Sequence, residues 1–279
     1  MTVIIGLVIV FASVIVGYLL AHGQLLVLWQ PAEFVVILGA AAGSLVVSTP
    51  FHVMKTIVKA LVNKLKGKGQ GGKFIMDVIW VLHQLASQAR REGLLVFEHH
   101  AENPKESWIL QKIIHHEALV GFVCDALRLI ALGLATEELT EILNSDIETR
   151  EAESKEPGEA VTTVADALPG LGIVAAVLGI IITMGAIGGD SAAVGKHVAS
   201  ALVGTFLGVL MAYGVVGPIA TVVKKEMERE IMLLKVIRNG MISVSNGLNP
   251  FVVCESARRS IPEAVRPSFK KMEAELNVK

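Results

Sequence analysis

The stretch ALPGLGIVAAVLGIIITMGAIGG, Ala167 to Gly189, contains no aspartate, glutamate, lysine or arginine. A helix needs about 20 mostly apolar residues to cross the hydrocarbon of a bilayer, and this stretch supplies them. Three more uncharged stretches flank it in the chain: Met1–Ala32, Phe34–Met54 and Val198–Val223. The first holds one apolar run, Val3–Leu20, before a break at His22, Gly23 and Gln24. Together they predict four transmembrane helices, near residues 3–21, 34–51, 169–188 and 198–220. A cleaved signal peptide does not fit the first, which lacks a basic leader and has too long an apolar core.

The rest of the composition agrees. The chain has 279 residues, 53% of them hydrophobic, 18% charged and 5% aromatic, with 26 glycines. Disorder requires the opposite balance. The net charge of −1 argues against an extended nucleic-acid surface, so no nucleic-acid partner is expected. Cys124 and Cys254 have no CxxC neighbour and imply no disulfide framework.

Charge sets the orientation, because loops rich in lysine and arginine stay in the cytoplasm. Lys55, Lys59, Lys64, Lys66, Lys68 and Lys73 follow the second span, and Lys224, Lys225 and Arg229 follow the fourth. The two other connections carry Lys196 alone. Both termini and the long middle segment are therefore expected in the cytoplasm. Of the 25 basic and 26 acidic residues, all but Glu33, Asp190 and Lys196 then lie on that side.

The expected fold is an all-α integral membrane protein of four transmembrane helices, with a helical cytoplasmic domain between the second and third. The domains are hairpin 1 at 1–51, the cytoplasmic domain at 52–168, hairpin 2 at 169–220, and a cytoplasmic helix and tail at 221–279. Ile75, Val78, Ile79, Leu82, Leu85, Ala86 and Ala89 recur at helical spacing. A second helix is expected through Trp108, Ile113, Ile114 and Leu119 to Leu134. Thr136, followed by Glu137 and Glu138, reads as the start of a helix reaching Glu153. Met227, Ile231, Leu234, Ile237 and Met241 repeat the pattern before Pro250, Pro262 and Pro267 interrupt it.

No motif points to an enzyme, a cofactor or a metal. Gly67–Phe74 (GKGQGGKF) resembles a phosphate loop, but Phe74 stands where magnesium needs Ser or Thr and no strand precedes it. It reads as a flexible linker. His99-His100 and His115-His116-Glu117 lack zinc-ligand spacing and read as solvated helix faces.

Small residues stand four apart in the later spans: Ala175 and Gly179 in the third, Gly204, Gly208 and Ala212 in the fourth. Such spacing lets helix backbones approach closely. Thr205 shares the face of Gly208 and Ala212. No acidic or basic residue falls inside the four spans as drawn. If the chain serves an ion pathway, a partner must contribute the titrating group, and Thr205 could only line the route.

Several motifs resemble one family. Asp166-Ala-Leu-Pro169-Gly-Leu-Gly172-Ile-Val-Ala-Ala176-Val resembles the start of the third membrane helix of the MotA flagellar stator family. Val203-Gly-Thr205-Phe-Leu-Gly208, then Ala212-Tyr213-Gly214 and Pro218, resembles its fourth, and Arg266-Pro267-Ser268-Phe269 its tail. The family belongs with the TolQ and ExbB proton channels, which usually have three spans. The resemblance implies a multi-pass protein of the bacterial inner membrane that assembles as a pentamer around a peptidoglycan-anchored MotB-like dimer. A MotB aspartate near the prolines matched by Pro169 and Pro218 would bind the passing proton, and a FliG-like rotor protein would receive torque. Arg90 and Glu98 match the family's rotor-facing charges, with Arg91 leaving the register open by one. On one continuous helix those two residues would lie within about 80° of each other.

In sodium-driven relatives, the position seven residues after the third-helix proline is a threonine; here it is Ala176. Losing that oxygen disfavours a hard cation, so protons are the expected ion. Two other readings stay open: a TolQ- or ExbB-like subunit energising outer-membrane processes, and a membrane scaffold without ion flux.

Overall fold

A computed structural model describes residues 2–66, 72–185 and 191–277 of the chain. The described residues are helical, without strands. In chain order the α-helices are α1 (Thr2–Leu20), α2 (Leu25–Leu28), α3 (Pro31–Ser48), α4 (Phe51–Lys66), α5 (Gly72–Glu92), α6 (Phe97–Glu102) and α7 (Glu117–Ala131). They continue with α8 (Thr136–Glu153), α9 (Glu156–Gly185), α10 (Ser191–Leu210), α11 (Gly217–Ser245), α12 (Pro250–Arg259) and α13 (Phe269–Asn277). The chain divides into two compact units, Met1–Gly67 with Lys155–Glu226, and Lys68–Ser154 with Met227–Lys279.

The first unit contains the apolar helices α1, α3, α9 and α10; of the four candidate membrane spans, Thr136–Gly185 and Val198–Ser245 continue beyond it. α1 is apolar all round and buries none of its residues, as suits a helix whose solvent is lipid or a neighbouring subunit. α3 begins with Pro31 in its first turn, where the missing N–H costs no hydrogen bond. Ile37 and Ala41 of α3 pack against Leu168 and Ala175 of α9 and Leu207 of α10.

Two helix boundaries differ from expectation. The helix that holds the third span does not begin at Pro169. α9 starts at Glu156, with Pro157 in its first turn, and runs through Pro169 without a break. Pro157 and the acidic first turn, Glu156 and Glu159, hold the start signals. Nor does the helical path of the fourth span end near Pro218. A wide π-helical turn at Met211–Val216 leads directly into α11.

The second unit has a core that includes Ile79, Leu82, Leu85, Phe97, Phe122, Leu127, Ile237 and Met241. The spacing read from α5 is the face it buries, and α8 occupies the expected Thr136–Glu153. The helix expected through Trp108 is absent; that segment forms turns and a 3-10 turn at Leu110–Lys112, and α7 starts only at Glu117. The apolar residues Ile109, Leu110 and Ile113 are buried without helical continuity, which is why they imitated one. The tail prolines punctuate as expected, Pro250 opening α12 with Asn249 Oδ1 accepting from the Phe251 N–H at 2.9 Å. Of the linker expected at Gly67–Phe74, residues 67–71 lie outside the described residues, while Gly72, Lys73 and Phe74 form the first turn of α5, with Phe74 buried, so the expectation is corrected there.

Candidate functional site

The site is built on the seam where α9 and α10 meet. A Cβ placed on Gly208 would come within 2.6 Å of the Leu168 carbonyl oxygen and 2.8 Å of the Gly172 Cα. One on Gly172 would lie 2.9 Å from the Gly204 oxygen and 3.0 Å from the Gly208 Cα. Further along, one on Gly179 would meet the Ala201 Cβ at 3.0 Å. Backbone rests on backbone here, as small residues permit in helices packed within lipid. The α9 side of this seam uses Gly172, Ala176 and Gly179. Ala175, which the four-residue spacing singled out, faces the apolar cluster of Ile37 and Ala41 instead.

Ala176 and Thr205 both border this seam. Ala176 is buried, and its backbone nitrogen would lie 3.2 Å from a Cβ at Gly204, the neighbour of Thr205. Thr205 is half-buried, and its Cα lies 3.3 Å from where a Gly172 Cβ would stand. Thr183 of α9 is buried too, but its hydroxyl donates to the Gly179 carbonyl at 2.8 Å.

A residue left outside the predicted spans also enters this seam. Glu33 lies inside α3, and its side chain is 7% exposed. Its Oε2 would stand 2.6 Å from a Gly204 Cβ, and its Oε1 3.6 Å from a Gly179 Cβ. Oε2 has no hydrogen-bond partner among the described residues. The expectation that the spans contain no ionisable side chain is therefore corrected. Drawing the second span from the first residue after the charge hid it; Pro31 was the available signal that the helix starts earlier.

Pro169 and Pro218 sit in unlike settings. Pro169, inside α9, leaves the Ala165 carbonyl without its usual N–H partner and crowds it. Its neighbour Leu168 presents the carbonyl that abuts Gly208. Pro218 is the second residue of α11, immediately after the π turn. There the Gly217 N–H reaches back five residues to the Ala212 oxygen, and a Cβ on Gly217 would stand 2.9 Å from it. The wider turn gives room for a proline ring that would otherwise strike the preceding turn.

Arg90 and Glu98 are both exposed, but one helix does not carry them. α5 ends at Glu92, Gly93 turns the chain at φ 83°, a 3-10 turn spans Leu94–Val96, and Glu98 lies in the first turn of α6. Eight residues of sequence therefore do not measure an angle about a common axis. Beneath them, His100 is buried rather than solvated. Its Nε2 donates to Gln88 Oε1 at 2.8 Å, since a carbonyl oxygen only accepts, and its Nδ1 accepts from Ser107 Oγ at 2.8 Å. Gln88 in turn donates to Glu92 at 3.0 Å. Burial first, and then His99, holds the His100 imidazole below its ordinary value. No group of three or more metal-ligating side chains occurs among the described residues.

Comparison with known proteins covers nearly the whole chain. A family described as "Motility protein A N-terminal" matches residues 4–93, and the MotA/TolQ/ExbB proton channel family matches 109–236. Motility protein A of Escherichia coli K12 is 34% identical over 98% of this chain and 94% of its own length. The chemotaxis protein LafT of Vibrio parahaemolyticus is 34% identical over 96% of this chain and 95% of its own. Among solved structures, C. jejuni MotAB superimposes with a TM-score of 0.78 at 24% identity, covering 96% of this chain and 98% of that one. The flagellar MotAB stator complex of Bacillus subtilis gives 0.74 at 24% identity, over 94% and 96%. At that identity the two structures establish a shared fold.

Proposed function

The chain belongs to the motility protein A family, within the MotA/TolQ/ExbB proton channels, and from that premise we propose that it is a stator subunit of a flagellar motor. It forms a proton channel with a MotB-like partner and couples ion flow to torque on the rotor. The observation that carries this reading is the α9–α10 seam, where Gly172, Ala176, Gly204 and Gly208 hold two spans at backbone contact beside Thr205. Such a seam supports a rigid wall for an ion route shared with the partner. The four apolar spans, together with the family, support a location in a bacterial inner membrane.

The finer parts of the reading follow from the sequence and the family. Lysine placement supports cytoplasmic termini and a cytoplasmic segment between the second and third spans, with the tail on the same side. The domain limits we propose are those of the charge pattern: 1–51, 52–168, 169–220 and 221–279. The partner spans the membrane, holds peptidoglycan and contributes the aspartate that receives protons near Pro169 and Pro218. Five copies of this chain surround two of the partner, with lipid outside. Thr205 and Ala176 line the route, and Arg90 and Glu98 face a FliG-like rotor protein. The work done is transport and rotation, with no enzymatic reaction, cofactor or metal.

A TolQ- or ExbB-like role fits less well. The shared channel domain is common to all three groups, but the match at 4–93 and the full-length relatives belong to motility protein A. The test is to express the chain with its partner in a swimming bacterium that lacks its own stator. Restored swimming supports the proposal. A stably assembled, membrane-inserted complex that leaves the cells non-motile overturns it.

A further inference from the structure

We propose that Glu33 is a proton-holding site of this chain itself, placed on the ion route in addition to the carboxylate contributed by the partner. The inference rests on the channel reading above and adds a second titrating group to it. Three observations converge on it.

Glu33 is more than nine-tenths buried, on the α3 face that also buries Ile37 and Ala41 at four-residue intervals. Its Oε2 has no partner among the described residues, and no ion pair there includes it. Its carboxylate also fills the space that two absent side chains leave, at Gly204 and Gly179, next to the Ala176 backbone nitrogen. Both glycines lie on the seam of α9 and α10, and Gly204 adjoins Thr205.

An unpaired carboxylate in such a place costs several kcal/mol of lost hydration. Ionisable side chains within membrane helices recur on proton and ion pathways for that reason. A packing role alone would be filled at lower cost by an apolar side chain of similar size. Oε2 is enclosed against Gly204, so a proton is the ligand it can take. The other charged groups are few. α9 has no titratable residue between Asp166 and its end at Gly185. On α10 these are Lys196 and His197, whose side chains lie outside the described residues.

Two measurements test this, both with the chain and its partner together. The first is rotation of tethered cells lacking any other stator, across a series of external pH. Glu33→Gln keeps the shape and loses the proton site. It is expected to turn several-fold slower than the parent at alkaline pH, where proton capture limits, and to approach it at acid pH. Glu33→Asp should retain part of the alkaline speed. A Glu33→Gln variant that follows the parent at every pH overturns the proposal, while a parent that does not rotate overturns the channel reading instead.

The second needs no variant. Dicyclohexylcarbodiimide, an apolar reagent that attacks protonated carboxyl groups in apolar surroundings, is applied to the membrane-embedded parent complex, and the labelled peptide is identified by mass spectrometry. Labelling at Glu33 that rises as pH falls supports the site. No label on Glu33 at any pH, with the partner aspartate labelled, overturns it.

Discussion

Replacing Gly208 by alanine tests whether the α9–α10 seam sets the geometry of the route. The new Cβ would stand 2.6 Å from the Leu168 oxygen and 2.8 Å from the Gly172 Cα. Ordinary contact begins near 3.4 Å, and both obstacles are backbone, so no side chain can swing aside. The two helices must part locally by most of an ångström. Overpacking of this kind costs about 1–3 kcal/mol. Alanine returns about 1 kcal/mol through helix propensity, and Gly39→Ala makes the same gain on α3 with nothing within 4 Å of its new Cβ. The contrast between the two variants is therefore the full overpacking cost, about fivefold to a hundredfold in an equilibrium constant. The assay is thermal melting of the detergent-solubilised complex, followed by retention of the partner on size exclusion, with swimming speed alongside. Gly208→Ala should melt lower, hold the partner less well and swim poorly, while Gly39→Ala should match or exceed the parent. Two variants that melt and swim alike would refute the reasoning.

Other positions give different outcomes. Pro169→Ala restores an N–H for the Ala165 carbonyl and removes a clash, a local gain of up to about 3 kcal/mol; the complex should melt no lower than the parent yet rotate more slowly, as tethered-cell rotation reads. Reversing Arg90 or Glu98 changes exposed charges that typically contribute about 0–1 kcal/mol; membrane content should hold, swimming should fall only in part, and opposite reversals on the rotor protein should restore it. His100 has a native value below the ordinary 6.5, so its contribution to stability is complete above that pH. It is lost as pH falls from there through the depressed value, a decline in melting temperature that His100→Gln should flatten. Burial pushes the Cys254 thiol up to about 12, and its Sγ donates to the Ile79 carbonyl at 3.6 Å; thiol reagents at pH 8 should label it only after unfolding, as mass spectrometry would read.

Much of this architecture was written in where charge is missing. Uncharged length identified the four spans because a bilayer tolerates little else. The buried face of α5 and the limits of α8 followed from periodicity and capping. What stayed hidden was continuity and burial. Nothing local distinguishes Pro169 as a helix start from Pro169 inside a helix already running from Glu156. The difference lies upstream, where Pro157 and the acidic first turn of Glu156 and Glu159 already start the helix. The π turn at Met211–Val216 has no signature beyond the Gly217-Pro218 pair that follows it. Ile109, Leu110 and Ile113 have helical spacing but are buried from turns. Glu33 was legible in part, since Pro31 marks a helix start ahead of it, but its enclosure, like that of His100, is set by packing and has no local sequence signal.

The most direct test of the account is rotation of tethered cells that depend on this chain and its partner, measured across an external sodium series at fixed pH with a protonophore as the control. Ala176 offers no side-chain oxygen and Thr205 offers one; Glu33 adds a carboxylate, but its Oε2 is enclosed against Gly204, while dehydrated sodium needs several open oxygens. Rotation should therefore follow the proton motive force, stop with the protonophore and ignore sodium. Rotation that ceases without sodium and survives the protonophore would contradict proton coupling.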